Sequence, residues 1–302
     1  MTIENLKEHS GPVIDTVNGY DIIDCQHCGF FHVWPFPTPE QIEALYKEQY
    51  YAEEKPDYFS HYEQDRDWWN LVYDDRFDLF EGGLPSERRR LLDIGSGPGL
   101  FLARGRERGW STLGIEPSTQ AAAYARGMGL EIRNEFLTPE TEGLGRFDAI
   151  HLSLVLEHIP DPMELLRLAY DMLNPGGMIC VVVPNDYNPI QVVARDACGF
   201  APWWVAPPHH LNYFSPKSLD HALGRAGFVS TTVSTTFPID LFLLMGDDYT
   251  RNPELGRACH AKRKALEFAF ARAGQDHVRK ALYDSLIGLG IGREVVVYGR
   301  KA

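Results

Sequence analysis

The segment Leu91-Leu92-Asp93-Ile94-Gly95-Ser96-Gly97-Pro98-Gly99-Leu100-Phe101 constrains the fold more than any other stretch of this chain. A short apolar run ends near an acid, glycines follow at alternate positions, and a helix-like sequence comes next. Alternate glycines permit a tight turn and leave room for a ligand to lie against the backbone. The turn delivers that ligand to the start of a helix, where backbone N–H groups lack intrahelical partners. In an open α/β sheet this is the carboxyl end of the first strand, where ligands bind. The spacing is G-x-G-x-G, neither the G-x-G-x-x-G of a dinucleotide fold nor a phosphate loop, and no lysine follows to hold a phosphate. The ligand therefore need not be a nucleotide polyphosphate.

Three further blocks follow in order. Thr112-Leu113-Gly114-Ile115-Glu116-Pro117-Ser118 is a short strand ending in an acid that can accept hydrogen bonds from two ribose hydroxyls. Phe147-Asp148-Ala149-Ile150-His151-Leu152-Ser153-Leu154-Val155-Leu156-Glu157-His158-Ile159 reads as a later strand and its loop. Leu173-Asn174-Pro175-Gly176-Gly177-Met178 turns into the apolar strand Ile179-Cys180-Val181-Val182-Val183-Pro184. With the glycine loop, these blocks over residues 88–185 resemble the class I S-adenosylmethionine-dependent methyltransferases.

Strand and helix alternate through this region, which predicts a parallel, doubly wound sheet. Strands are expected near 90–94, 111–116, 130–133, 147–152, 178–183, 228–236 and 293–300, with helices over 38–51, 60–82 and 253–288. The expected fold is α/β: a mostly parallel seven-stranded Rossmann-like methyltransferase sheet. A small N-terminal ribbon-like and helical lid precedes it, and a helical insertion comes before the last strand. The corresponding boundaries are 1–60 for the ribbon and lid, 61–237 for the core, 238–290 for the insertion and 291–302 for the last strand. The long link 184–214 is expected to be functional or to carry structure of its own.

The formal net charge is −13 over 302 residues, which argues against nucleic acid as the main partner. No uninterrupted apolar run approaches the ~20 residues of a membrane helix, so no membrane partner is expected. The start Met1-Thr2-Ile3-Glu4-Asn5 is polar and acidic, unlike a signal peptide, and five scattered cysteines make no disulfide framework. A cytoplasmic setting is expected. Oligomeric state is open, a homo-oligomer included.

Cys25-x-x-Cys28, followed by Gly29, is one knuckle of a zinc ribbon, and tetrahedral zinc needs four ligands. From Cys25 to Tyr51 the chain resembles a group of sugar-modifying methyltransferases that carry two C-x-x-C pairs. It departs where the first pair belongs, since residues 9–13 read His-Ser-Gly-Pro-Val. The expectation is a degenerate ribbon held by packing, with no resident metal. A Cys2His2 site completed by His9 and His32 is the alternative.

The resemblance implies S-adenosylmethionine as cofactor, held by Asp93, Gly95, Ser96, Gly97, Glu116, Pro117, Ser153, Leu154 and His158. It implies methyl transfer to a small-molecule acceptor, such as a nucleotide sugar or a polysaccharide or natural-product precursor. A hydroxyl acceptor needs a base, and histidine titrates near neutrality. His209 or His210, restricted by Pro207-Pro208, is the expected base, with His158 next. Tyr50, Tyr51 and Tyr58 in a lid, with Asn185, Trp203, Trp204 and Tyr213, are the expected acceptor contacts. A non-catalytic S-adenosylmethionine sensor or subunit, and a protein or RNA methyltransferase, are the alternatives.

Overall fold

A computed structural model of the chain describes residues 9–38 and 63–302. The helix expected over 38–51, and with it Tyr50, Tyr51 and Tyr58, lies outside the described residues apart from Thr38. The described strands, in chain order, are β1 (Val13–Val17), β2 (Tyr20–Asp24), β3 (Phe31–Trp34), β4 (Arg90–Ile94), β5 (Ser111–Ile115) and β6 (Ile132–Arg133). They continue with β7 (Phe147–Ser153), β8 (Leu173–Pro184), β9 (Asn212–Tyr213), β10 (Phe228–Thr235) and β11 (Glu294–Lys301).

Seven strands form one sheet in the order β10-β11-β8-β7-β4-β5-β6. The β4–β5, β4–β7 and β5–β6 pairs are parallel. This is the seven-stranded α/β sheet expected from the sequence, with its parallel centre as the alternation of strand and helix predicts. Central parallel strands covered on both faces read as near-continuous apolar runs. Leu91, Leu92, Ala149, Ile150 and Leu152 are accordingly buried, and Asp93 and His151 break the pattern.

The flanking helices start where the sequence carries caps. Ser118 Oγ accepts from the Ala121 N–H ahead of Thr119–Gly127, and Asp161 Oδ1 accepts from the Glu164 N–H ahead of Pro162–Met172. The helix Arg66–Gly83 buries Trp68, Tyr73, Phe77 and Phe80, and Phe77 stacks on Phe101 with ring centroids 4.6 Å apart.

The chain divides into two compact units. One is drawn from Met1–Pro35, Val182–His221 and Thr232–Val297, the other from Phe36–Val181, Ala222–Thr231 and Tyr298–Ala302. The second contains the glycine loop. The first contains a small antiparallel sheet in the order β1-β2-β3-β9.

The long link does carry structure. Asn188 and Gln191 form a reciprocal capping box that opens the helix Pro189–Cys198, and Gly199 closes it in the left-handed region. The region 238–290 holds the helices Leu241–Leu244, Pro253–Arg272 and Asp276–Gly288. Among the described residues no helix is long and apolar enough to cross a membrane.

Candidate functional site

The glycine loop runs from β4 into the helix Leu100–Glu107. Gly95, Gly97 and Gly99 have φ of 71°, 52° and 81°, a region open to glycine and costly to other residues. The N–H groups of Gly95 and Ser96 both donate to the Ile115 carbonyl, at 2.8 and 3.1 Å, which fastens the loop to the end of β5.

Glu116 sits just past that end and is 5% exposed. One carboxylate oxygen accepts from the Gly97 N–H and the other from the Ser118 N–H, each at 2.8 Å. Burial pushes its pKa up to about 7, against these two donors. Each oxygen keeps a further lone pair, so a vicinal diol can be met with both prongs.

Asp93, at the end of β4, is register partner to His151 of β7, and its Oδ1 lies 2.7 Å from His151 Nδ1. Arg76 Nη1 donates to His151 Nε2 at 2.9 Å and to Ser153 Oγ at 3.3 Å. An arginine always donates, so Nε2 carries the lone pair and Nδ1 the proton given to Asp93. Burial lowers the His151 pKa despite the carboxylate, so the ring is neutral in this arrangement. Phe101 stacks on it with centroids 3.7 Å apart.

After β7 the chain makes a short turn, Leu156–His158. A Cβ added to Gly95 would come 2.5 Å from Val155 Cγ2, so this turn packs directly on the glycine loop. Leu154, with φ 57° and 39% exposure, projects outward. Glu157 is fully buried, and its Oε1 lies 3.7 Å from His158 Nε2, beyond hydrogen-bond distance.

One unit thus brings together Asp93, Gly95, Ser96, Gly97, Glu116 and the Ser153–His158 turn. Arg76 and His151 were missed in the sequence. Their signal was a histidine inside an apolar strand, in register with the acid before the loop.

The other unit holds Asn185, Trp203, Trp204, His209, His210 and Tyr213, whereas Pro117 follows Glu116 in the unit of the glycine loop. Asn185 is buried, and its Nδ2 donates to the carbonyls of Gly290 and Gly292 at 2.9 and 3.2 Å. Tyr213 is buried and donates to the His210 carbonyl at 3.1 Å. Trp204 is buried and packs edge-on to both Trp203 and Tyr187. His209 and His210 are half-buried after the Pro207-Pro208 pair. His9, Cys25, Cys28 and His32 converge, their ligand atoms all within 4.8 Å of one another. Burial pulls the His32 pKa down to about 4.

A family described as a methyltransferase domain matches residues 49–233, more than half of the chain. The chain belongs to that family, and its cofactor is S-adenosylmethionine. It is 35% identical over 136 residues to the ubiquinone biosynthesis O-methyltransferase of Caulobacter sp. (strain K31), covering 43% of this chain and 54% of that protein. The same-named protein of Caulobacter vibrioides is 34% identical over 144 residues, 45% of this chain and 57% of the relative. The chain therefore spans about half the length of these curated relatives.

Among solved structures it resembles a SAM-dependent methyltransferase from Archaeoglobus fulgidus, with a TM-score of 0.51 at 19% identity, covering 81% of this chain and 99% of that one. It also resembles the plantazolicin methyltransferase BpumL in complex with SAH, with a TM-score of 0.51 at 14% identity, covering 87% and 95%. These two likenesses are of fold.

The residues fit the cofactor. The loop leaves no room for a Cβ at Gly95, and Ser96 Oγ is buried with no hydrogen-bond partner among the described residues. Glu116 presents a two-pronged acceptor at the strand end.

Proposed function

We propose that this chain transfers a methyl group to a hydroxyl oxygen of a small-molecule acceptor, with a histidine taking the hydroxyl proton. S-adenosylmethionine supplies the methyl carbon on a positively charged sulfur, open to in-line displacement. The protein's own residues align the acceptor, exclude water and remove the proton.

The observation that carries the reading is the Glu157–His158 pair on the turn against the glycine loop. A buried carboxylate beside an imidazole orients the ring and stabilises the cation formed when the ring takes a proton. His158 is the base we assign, and His209 and His210 are the other candidates. Oxygen as the methylated atom is supported by the names of the relatives, which are O-methyltransferases.

The acceptor class divides between a hydroxylated intermediate of ubiquinone biosynthesis, as those names suggest and for which phenols serve as probes, and a nucleotide sugar or polysaccharide or natural-product precursor, as the Cys25–Tyr51 resemblance suggests. The test is formation of S-adenosylhomocysteine with a panel of phenols and nucleotide sugars. Turnover that requires one hydroxyl acceptor supports the proposal. Cofactor binding without turnover on any acceptor would favour a sensor, and turnover on protein or RNA would move the acceptor out of the small-molecule class.

A further inference from the structure

We infer that His9, Cys25, Cys28 and His32 are the four ligands of a structural zinc ion. The absence of a first cysteine pair pointed to a ribbon without metal, but two imidazoles stand where a tetrahedral site needs its remaining ligands.

The local fold brings His9 to the knuckle. The Asp24 N–H donates to the Pro12 carbonyl at 2.9 Å and the Gln26 N–H to the Ser10 carbonyl at 3.0 Å. Between them, a Cβ on Gly11 would lie 1.8 Å from the Asp24 carbonyl oxygen, so only glycine permits the approach. These contacts hold the segment after His9 against the turn that carries both cysteines.

The separations lie near those of a coordination shell, with the two imidazole nitrogens slightly closer than a bound metal holds them. His9 Nδ1 lies 3.0 Å from His32 Nε2, 3.7 Å from Cys25 Sγ and 3.4 Å from Cys28 Sγ. Tetrahedral zinc, with bonds of about 2.0–2.1 Å to nitrogen and 2.3 Å to sulfur, separates its ligand atoms by roughly 3.3–3.8 Å. Both cysteines are thiols rather than half-cystines.

The outer contacts also suit a metal. His32 Nδ1 lies 2.8 Å from the Val33 carbonyl, to which it donates, so its proton is fixed there and the Nε2 lone pair faces the cluster. The Cys28 N–H points at Cys25 Sγ from 3.5 Å, a donor that favours the thiolate. Cys25 and His32 are wholly buried. Four protein ligands close the shell, which marks a structural rather than a catalytic site.

The site also has something to hold. The sheet β1-β2-β3-β9 is built from strands of two to five residues, and His32 is register partner to Asn212 of β9, two residues after His210. A sheet this small gains from a staple, and metal binding in such units is folding free energy.

The test uses the full chain expressed in zinc-replete medium. Elemental analysis should find one zinc per chain, and cobalt substitution should give the intense absorption of tetrahedral cobalt with thiolate charge transfer. His9→Ala should weaken zinc binding by more than about 100-fold, beyond what loss of an outer-shell partner costs. His27→Ala, removing the exposed imidazole whose ring lies 5.5 Å from that of His9, should keep full zinc content. Cofactor affinity by calorimetry reports whether the His9→Ala chain is still folded around the glycine loop. Substoichiometric zinc with no tetrahedral cobalt spectrum would overturn the inference. So would equal loss of zinc in the His9→Ala and His27→Ala variants.

Discussion

Asp93 and His151 face each other across the β4–β7 pairing, with Oδ1 and Nδ1 2.7 Å apart, and Arg76 closes the far side of the same ring at 2.9 Å. A neutral imidazole thus lies between two buried charged groups. It accepts from the guanidinium and donates to the carboxylate, so its dipole suits both. The acid nearest the glycine loop is held by this chain rather than by solvent.

His151→Leu would leave Asp93 and Arg76 each without one partner. A buried polar group so stranded costs about 1–3 kcal/mol. The variant is expected to lose at least that much in chemical denaturation. A pH dependence should accompany it. Burial holds the folded His151 pKa below the ordinary imidazole value of 6.5, so its contribution is full above that pH and is lost as pH falls beneath it. His151→Gln should lack this component, which the difference between the two stability curves isolates. Parallel curves would show that folding leaves the His151 pKa unshifted.

Glu116 makes a prediction about cofactor binding. Its pKa is raised to about 7 by burial, and ribose hydroxyls donate to the ionised form. Cofactor affinity should therefore be level well above pH 7 and fall as pH drops through it, with proton uptake by free Glu116 competing. Calorimetry in buffers of different ionisation enthalpy should detect proton release on binding at pH 7. Glu116→Ala should lower affinity at least about tenfold, because charge-assisted hydrogen bonds are worth about 1.5–3 kcal/mol. Unchanged affinity would remove Glu116 from the ribose.

Gly95→Ala should damage the same site by two separable routes. The added methyl group meets Val155 Cγ2 at 2.5 Å, and φ of 71° costs a side-chain-bearing residue about 1–2 kcal/mol. Adding Val155→Ala relieves the clash and not the backbone strain. Cofactor affinity of the double variant should therefore lie between wild type and Gly95→Ala. Full recovery would mean that backbone strain contributes nothing.

The sheet was legible because its signals are local. Glycine spacing, strand-end acids and buried apolar runs each sit within a few residues, and the cap residues Ser118, Asp161 and Asn188 mark helix starts directly. What escaped was long-range. Arg76 is separated from His151 by 75 residues, and nothing in its helix marks it as other than one more polar residue among aromatics. The His9–His32 approach depends on a glycine that lets two segments touch, and spacing alone left that site as an alternative. Glu157 was visible beside His158, but its complete burial was not.

The last prediction concerns the base. His158 is set against Glu157 at 3.7 Å, on a turn that packs on the glycine loop. General-base removal typically costs 10²–10⁴ in rate. His158→Ala should lose about that much kcat on the true acceptor. Because the same residue is also an expected cofactor contact, its affinity for S-adenosylmethionine must be measured separately, and a change beyond a few-fold would assign the loss to binding. Glu157→Gln keeps the shape and removes the charge, so it should lower kcat less and shift the acid limb of the pH–rate profile. His209→Ala and His210→Ala provide the opposing test. If either of them loses about 10²–10⁴ while His158→Ala retains turnover, the base is on the link before β9 and the Glu157–His158 pair is structural.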